Sequence, residues 1–304
     1  MEKIAQKLKI KIPDLLLKEN ESLAPYTYTK TGGNADLFAV PKNSIEAQKV
    51  VMFCYENAVP LMILGNGSNL IVKDGGIRGM VMYLDLLNEI KRTGTHIIAG
   101  SGAKLIDVSR FALNESLSGL EFACGIPGSI GGALYMNAGA YGGEISDVLD
   151  GATVLTRTGE LLHLKRSELA AKYRHSTVAE QDYIVLEAEF ALKLSERQPI
   201  EVKMAELTES RESKQPLEYP SCGSVFKRPP GHFAGKLIQD SHLQGFQVGG
   251  AQVSKKHAGF IVNIGGATAT DYMKVIRHVQ ETVKMNFDVD LETEVKIIGE
   301  DKGL

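Results

Sequence analysis

Long apolar runs, blocks of like charge and paired cysteines are all missing from this chain of 304 residues. Each absence closes off a class of function. The first 23 residues thread charges through their apolar side chains. They encode neither a secretory signal nor a membrane span, and a short amphipathic helix is expected instead, with no membrane insertion. Lys and Arg total 34 against 37 Asp and Glu, a net charge of −3 scattered along the chain. That is not the basic footprint of a nucleic-acid partner. Cys54, Cys124 and Cys222 are far apart and cannot all pair, and no CxxC or Cys/His spacing occurs. A reducing compartment, the cytoplasm, is implied. The seven histidines have no metal-ligand spacing, so no metal is expected. Gly128-Ser129-Ile130-Gly131 is not a nucleophile elbow, and no Ser/His/Asp order stands out.

Glycine, by contrast, is concentrated. Residues 119–143 hold eight of the chain's 31 glycines. Gly125, Gly128, Gly131, Gly132 and Gly139 alternate there with small or apolar residues rather than charges. Glycine lets another molecule approach the main chain closely, so the stretch reads as a backbone cradle for a flat or phosphate-bearing ligand, or as a tightly packed loop. Within it, Pro127-Gly128 leads into a short helix at residues 129–137. Free N–H groups at its start would attract an anion. A second glycine turn, Gly65-Asn66-Gly67-Ser68-Asn69, resembles a dinucleotide fingerprint, but the context refuses it. Such a turn must open a helix, and here the reading is strand (70–72), turn (73–76), strand (79–83). The turn offers N–H groups to an anion, or simply leads into a hairpin.

Elsewhere the pattern is mixed. Strands are expected at 35–40, 61–64, 96–99, 183–194, 257–263 and 294–298, with a hairpin at 152–164. Helices are expected from Ser44 as N-cap to about Asn57, then at 103–115, 200–213, 234–242 and from Thr268 onward. Ile45, Val51, Cys54, Tyr55 and Ala58 mark the apolar side of the first, and Tyr272, Val275, Ile276, Val279 and Val283 that of the last. Ser167 can cap a short helix ending near Tyr173-Arg174-His175-Ser176, where a cation is favourable. Cys222 lies in a proline-rich loop, with nothing nearby that marks a reactive thiol.

Four separated segments match one family in order: Leu64 through Leu70; Gly119-Leu120-Glu121, then Gly125-Ile126-Pro127-Gly128-Ser129-Ile130-Gly131-Gly132 to Asn137-Ala138-Gly139-Ala140-Tyr141-Gly142; Tyr173-Arg174-His175-Ser176; and Gly223-Ser224-Val225-Phe226-Lys227. Together they resemble the UDP-N-acetylenolpyruvoylglucosamine reductase family of bacterial peptidoglycan precursor synthesis. The resemblance runs from about residue 29 to 298 and implies an α+β protein. Its parts would be an FAD-binding domain of the vanillyl-alcohol-oxidase (PCMH) type made of two α/β subdomains, and a C-terminal α+β substrate-binding domain. The polar, proline-ended segment 195–199 puts the division at residues 1–198, with subdomains at about 1–85 and 86–198, and 199–304.

The resemblance further implies that NADPH reduces FAD, and that hydride then passes to the methylene carbon of UDP-N-acetylglucosamine enolpyruvate, giving UDP-N-acetylmuramate. Negative charge then develops on the substrate carboxylate as an enolate. Groups preorganised to meet such charge in a dry site contribute roughly 3–4 kcal/mol each. By motif match Arg174 and a protonated Glu294 meet that charge, and Ser224 delivers the proton to the α-carbon. Gly65 to Asn69, Gly125 to Ser129, Gly131, Gly132, Gly139 and Arg211 fall to the cofactor. Tyr141, Lys214, Arg228 and Gln239 fall to the substrate, although the longer members carry asparagine where Arg228 stands. Only six residues separate Ser176 from Tyr183, so this is the short form, without the inserted tyrosine loop. A monomer is expected. Intact Arg174, Ser224 and Glu294 favour the reductase over two other occupants of the scaffold, a catalytically silent flavin or sugar-nucleotide-binding module and an FAD oxidase.

Overall fold

The computed structural model describes residues 1–303 and forms two compact units of mixed helix and strand, an α+β fold. The first comprises Met1–Glu19, Asp36–Asn66 and Gly79–Arg211; the second comprises Asn20–Ala35, Gly67–Arg78 and the chain from Glu212 onward. Among the described residues, no helix is long and apolar enough to cross a membrane.

The first unit opens with helix Glu2–Lys11. It is shorter than the charge pattern suggests, because Pro13 cannot continue a helix, and Leu16–Ser22 is a strand. The first sheet is ordered Leu16–Ser22, Asn34–Val40, Ile77–Tyr83, Leu61–Leu64. Helix Ser44–Glu56 packs on it, capped by Asn43 rather than Ser44: the Asn43 side chain accepts from the Glu46 N–H at 2.9 Å. The helix buries Ala47, Val50, Val51, Phe53 and Cys54 and leaves Ile45 and Tyr55 exposed, so of the expected apolar side only Val51 and Cys54 face the sheet.

A five-stranded antiparallel sheet follows, ordered Leu161–Lys165, Leu149–Leu155, Ile184–Ala191, His96–Gly100, Ile90–Thr93. It contains the expected hairpin. Its edge strand Ile90–Thr93 escapes the sequence pattern because three of its four side chains are exposed. Helices Leu105–Asn114 and Ile130–Met136 bury Val108, Ile130 and Leu134 against Ile97, Ala188 and Phe190. Residues 166–176 depart from expectation. Arg166–Glu168 is a single 3₁₀ turn, and Ala171–Lys172 pairs with His175–Ser176, so Tyr173-Arg174 is the tip of a hairpin and not a helix end. Two residues between that turn and the hairpin leave no length for a helix. Helix Arg197–Lys214 crosses positions 198–199 without a break. Pro199 sits in its first turn, where a missing N–H costs no intrahelical bond. Its Ile200, Met204 and Leu207 pack with Cys124 and Leu113.

In the second unit the sheet order is Ser221–Ser224, Phe260–Asn263, Ala251–Val253, Gln247–Val248. Helix Ala269–Phe287 buries Tyr272, Val275, Ile276, Val279 and Val283 on it, the face expected from the sequence. Thr268 caps this helix, accepting from the Asp271 N–H at 3.1 Å, while Asp74 accepts from the N–H groups of Ala269 and Thr270, each at 2.9 Å. The 70–72 strand does not form a hairpin with the strand after it. Leu70–Val72 runs parallel to Lys296–Ile298. The turn residue Lys73 is held there too, its N–H donating to Ile298 O at 2.8 Å and its carbonyl accepting from the Gly33 N–H at 3.0 Å. The polar segment before residue 34 buries Thr27, Thr29 and Thr31, and Asn263 Nδ2 donates to Thr29 O at 2.9 Å.

His257, edge-on to Phe260, is held below its ordinary pKa by burial. The unfolded chain, with an imidazole value of about 6.5, binds the proton more readily. The stability of the neutral form is therefore complete above that pH and lost as pH falls toward the lower folded-state value. Melting curves across this window should show a slope that His257→Gln flattens; an unchanged slope would remove His257 from the titration.

Candidate functional site

In the first unit the two glycine-rich segments meet. Asn66 Nδ2 donates to Pro127 O at 2.7 Å. A Cβ on Gly65 would lie 2.4 Å from Ser129 Oγ, so this position admits no side chain without displacing the serine. Ser129 is the N-cap of helix Ile130–Met136, its hydroxyl accepting from the Gly132 N–H at 3.5 Å. The expected free N–H groups at that helix start are engaged internally: Ile130 donates to Ala103 O and Gly131 to Ser101 O, each at 2.9 Å. Strand-like bridging of Lys104 to Ser129 brings those carbonyls into range. The helix start is thus a packing joint. A Cβ on Gly128 or Gly142 would meet no protein atom within 4 Å, and one on Gly132 only Ser129 Oγ at 3.5 Å. Gly131 is different, with Ser101 Cβ 3.2 Å from where its own would be. Gly125 makes room for the Arg211 side chain, whose Cδ stands 2.7 Å from that position.

The segment ends in a hairpin, Gly139–Ala140 against Gly143–Glu144. Its two tip residues, Tyr141 at φ 55° and Gly142 at φ 85°, are both left-handed, the pattern of a type I′ turn. Tyr141 is 46% exposed there. Arg174 sits at φ 56° on the other hairpin tip, its guanidinium 5.1 Å from the Tyr173 ring. Two bonds fasten that hairpin to the glycine-rich segment. Ser176 Oγ donates to Tyr135 O at 2.8 Å, and Asn137 Nδ2 donates to Lys172 O at 3.3 Å. Asn137 also accepts from the Ser146 N–H at 3.0 Å. Its left-handed conformation, φ 42° at the helix C-cap, lets one side chain reach both.

In the second unit, Ser224 ends an edge strand whose register slips between Ser221 and Ser224, with Gly223 at φ 77°. The bulge leaves Ser224 exposed. Beyond it the chain is held on both sides: Val225 donates to Gly259 O at 2.9 Å and accepts from the Glu294 N–H at 2.7 Å. Ser224 and Glu294 therefore flank one peptide ladder. Asn69 secures the far side, its Nδ2 donating to Glu294 O and its carbonyl accepting from Lys296. That positioning role is not visible in the sequence. Its nearest signal is the alternation of Gly67 and Asn69 before a short apolar strand.

The other candidates are more dispersed. Lys227 is paired with Glu292 at 2.9 Å. Arg228 lies 4.0 Å above the Phe233 ring. Gln239 is exposed in helix Ala234–Asp240, and Lys214 is the last residue of its helix. Cys222 is buried and its thiol is pushed up to about 12, as is that of Cys54, in both cases by burial. Ser101, absent from the sequence reading, is buried beside Gly131 with no hydrogen-bond partner for its hydroxyl among the described residues. An orphaned buried hydroxyl fits a ligand that brings its own polar atoms.

The fold and this site define a flavin-binding oxidoreductase. Residues 35–165 match the model of an FAD binding domain, and residues 215–298 match that of the UDP-N-acetylenolpyruvoylglucosamine reductase C-terminal domain. The UDP-N-acetylenolpyruvoylglucosamine reductase of Listeria monocytogenes is 72% identical over 295 residues, covering 97% of this chain and 99% of that relative. The crystal structure of the Thermus caldophilus enzyme aligns with a TM-score of 0.80 at 33% identity, covering 93% of this chain and 98% of that one. A variant of Phl p 4 described as a glucose oxidase shares the fold alone, with a TM-score of 0.52 at 14% identity over 64% of this chain and 44% of its own. The chain belongs to the UDP-N-acetylenolpyruvoylglucosamine reductase family.

Gly65→Ala should push Ser129 off its cap and weaken FAD binding by at least about tenfold, since a lost cap and a displaced neighbour together cost about 1.4 kcal/mol or more. Quenching of flavin fluorescence measures it, and an unchanged dissociation constant would remove this contact from the cofactor site. Iodoacetamide should label none of the three cysteines in the folded protein at mildly alkaline pH, and all three after denaturation; labelling of folded Cys222 would contradict its burial.

Proposed function

We propose that the protein reduces UDP-N-acetylglucosamine enolpyruvate to UDP-N-acetylmuramate for peptidoglycan precursor synthesis, with NADPH as reductant, acting as a cytoplasmic monomer. Gly65, Asn66, Gly125, Gly128, Ser129, Gly132 and Arg211 would hold FAD, with Ser101 as a further polar contact. Bound FAD supplies the hydride that NADPH provides and the enolpyruvyl methylene carbon receives. Arg174 clamps the substrate carboxylate, for which a planar guanidinium fork is suited. Glu294, carrying a proton, donates to the same group as it becomes an enolate. Ser224 delivers the proton to the α-carbon. Tyr141, Lys214, Arg228 and Gln239 bind the remainder of the substrate.

The observation that carries this reading is the shared ladder of Ser224 and Glu294. The 2.7 Å bond from the Glu294 N–H to Val225 O keeps the proposed proton donor and one enolate-stabilising group in a fixed relation, and preorganisation of that kind lowers the barrier. Ser224→Ala should still bleach and recover the flavin absorbance as hydride passes, while product formation falls by roughly 10²–10⁴-fold, the usual range for a lost general acid. Stopped-flow absorbance read beside product yield tests it. Full turnover in the variant would take the proton-donor role away from Ser224.

A further inference from the structure

We propose that the first unit carries a zinc site on the outer face of its five-stranded sheet, formed by His96, Asp150 and Glu189. One ligand atom from each lies within 4.8 Å of the others. The three residues stand on adjacent strands, His96–Gly100, Ile184–Ala191 and Leu149–Leu155. Register fixes which way they face. Ala191 is opposite His96 and Glu189 is opposite Ile98, while Ile97, Ala188 and Phe190 are buried on the inner side. Between the other two strands, Leu149 is opposite Phe190 and Gly151 is opposite Glu189, which makes Asp150 the extra residue of a bulge. Bulges re-aim a side chain, and this one turns Asp150 toward the outer face. The residue facing Glu189 is a glycine whose missing Cβ would sit 4.0 Å from Glu189 Oε2, so the carboxylate has room to lean toward the other two.

The chemistry matches the geometry. His96 Nε2 and Asp150 Oδ2 are 3.5 Å apart. Two ligands bound to zinc at about 2.0–2.1 Å in a tetrahedron are separated by about 3.3 Å, and one imidazole with two carboxylates leaves the fourth position to water. Without a cation the cluster brings two carboxylates together on one face, and among the described residues no lysine or arginine pairs with either. Like charges so placed oppose one another across a sheet, and a divalent ion reverses the sign of that interaction. The side chains of His96 and Asp150 are 35% and 45% exposed, so an ion enters from solvent.

The test uses the full chain, untagged, holding its flavin and stripped of metal with a chelator, then titrated with zinc chloride by calorimetry and by thermal melting. One equivalent should bind and raise the melting temperature by several degrees, because an ion that ties three strands binds only the folded state. His96→Ala, Asp150→Asn and Glu189→Gln should each weaken binding at least about tenfold and abolish the thermal shift, with the flavin spectrum unchanged as the check on folding. Should the alanine variant fail to fold, His96→Gln takes its place. Zinc binding that survives all three substitutions, or no binding up to millimolar zinc, would overturn the proposal and leave His96 and Asp150 as a surface ion pair.

Discussion

Where a side chain on Gly65 would stand, the Ser129 hydroxyl stands instead, and much of the first unit is arranged through that contact. Ser129 caps helix Ile130–Met136. The far end of the helix is Asn137, which with Tyr135 anchors the hairpin that presents Arg174. One short helix therefore relates the glycine cradle at its start to the guanidinium at its end. Interiors packed at crystal density transmit such constraints, so a shift at Gly65 is felt at Ser129 and the helix it caps.

Strain falls where the family motifs put substrate contacts. Tyr141 and Arg174 both sit at hairpin tips in left-handed conformations, φ 55° and 56°. For a residue with a Cβ that region costs about 1–2 kcal/mol, and it persists only where the surroundings over-determine it. The hydrogen bonds of Ser176 and Asn137 do this for Arg174, and the ladder of Gly139–Ala140 with Gly143–Glu144 does it for Tyr141. In the second unit the register slip between Ser221 and Ser224 has the same logic: the pairing resumes at Ser224, opposite Phe260, and Val225 beyond it is bonded on both sides.

Legibility followed the range of the interaction. Helix Ala269–Phe287 was plain, since its apolar period and its Thr268/Asp271 capping box are local. So was the 149–155 and 161–165 hairpin. Strand Leu16–Ser22 was hidden because only two of its seven positions are even half-buried, leaving no alternation to read. Leu70–Val72 was legible as a strand but not in its partner, which arrives 226 residues later at Lys296. Tyr173-Arg174 reads as a helix end in the sequence because a two-residue hairpin with strands of two residues has no periodicity at all.

Motif order and spacing by themselves determined the family and its chemistry. Composition and caps determined the helices with strong local signals. Only the tertiary structure decided what each glycine is for. Gly65 and Gly125 make room for Ser129 and Arg211, whereas Gly128 and Gly142 keep space open. It alone showed that the N–H groups at the start of helix Ile130–Met136 are already bonded, and that Asn69 holds Glu294. The physical reason is that a residue type records what a position tolerates, while the partner that fills the space or takes the hydrogen bond comes from a distant part of the chain.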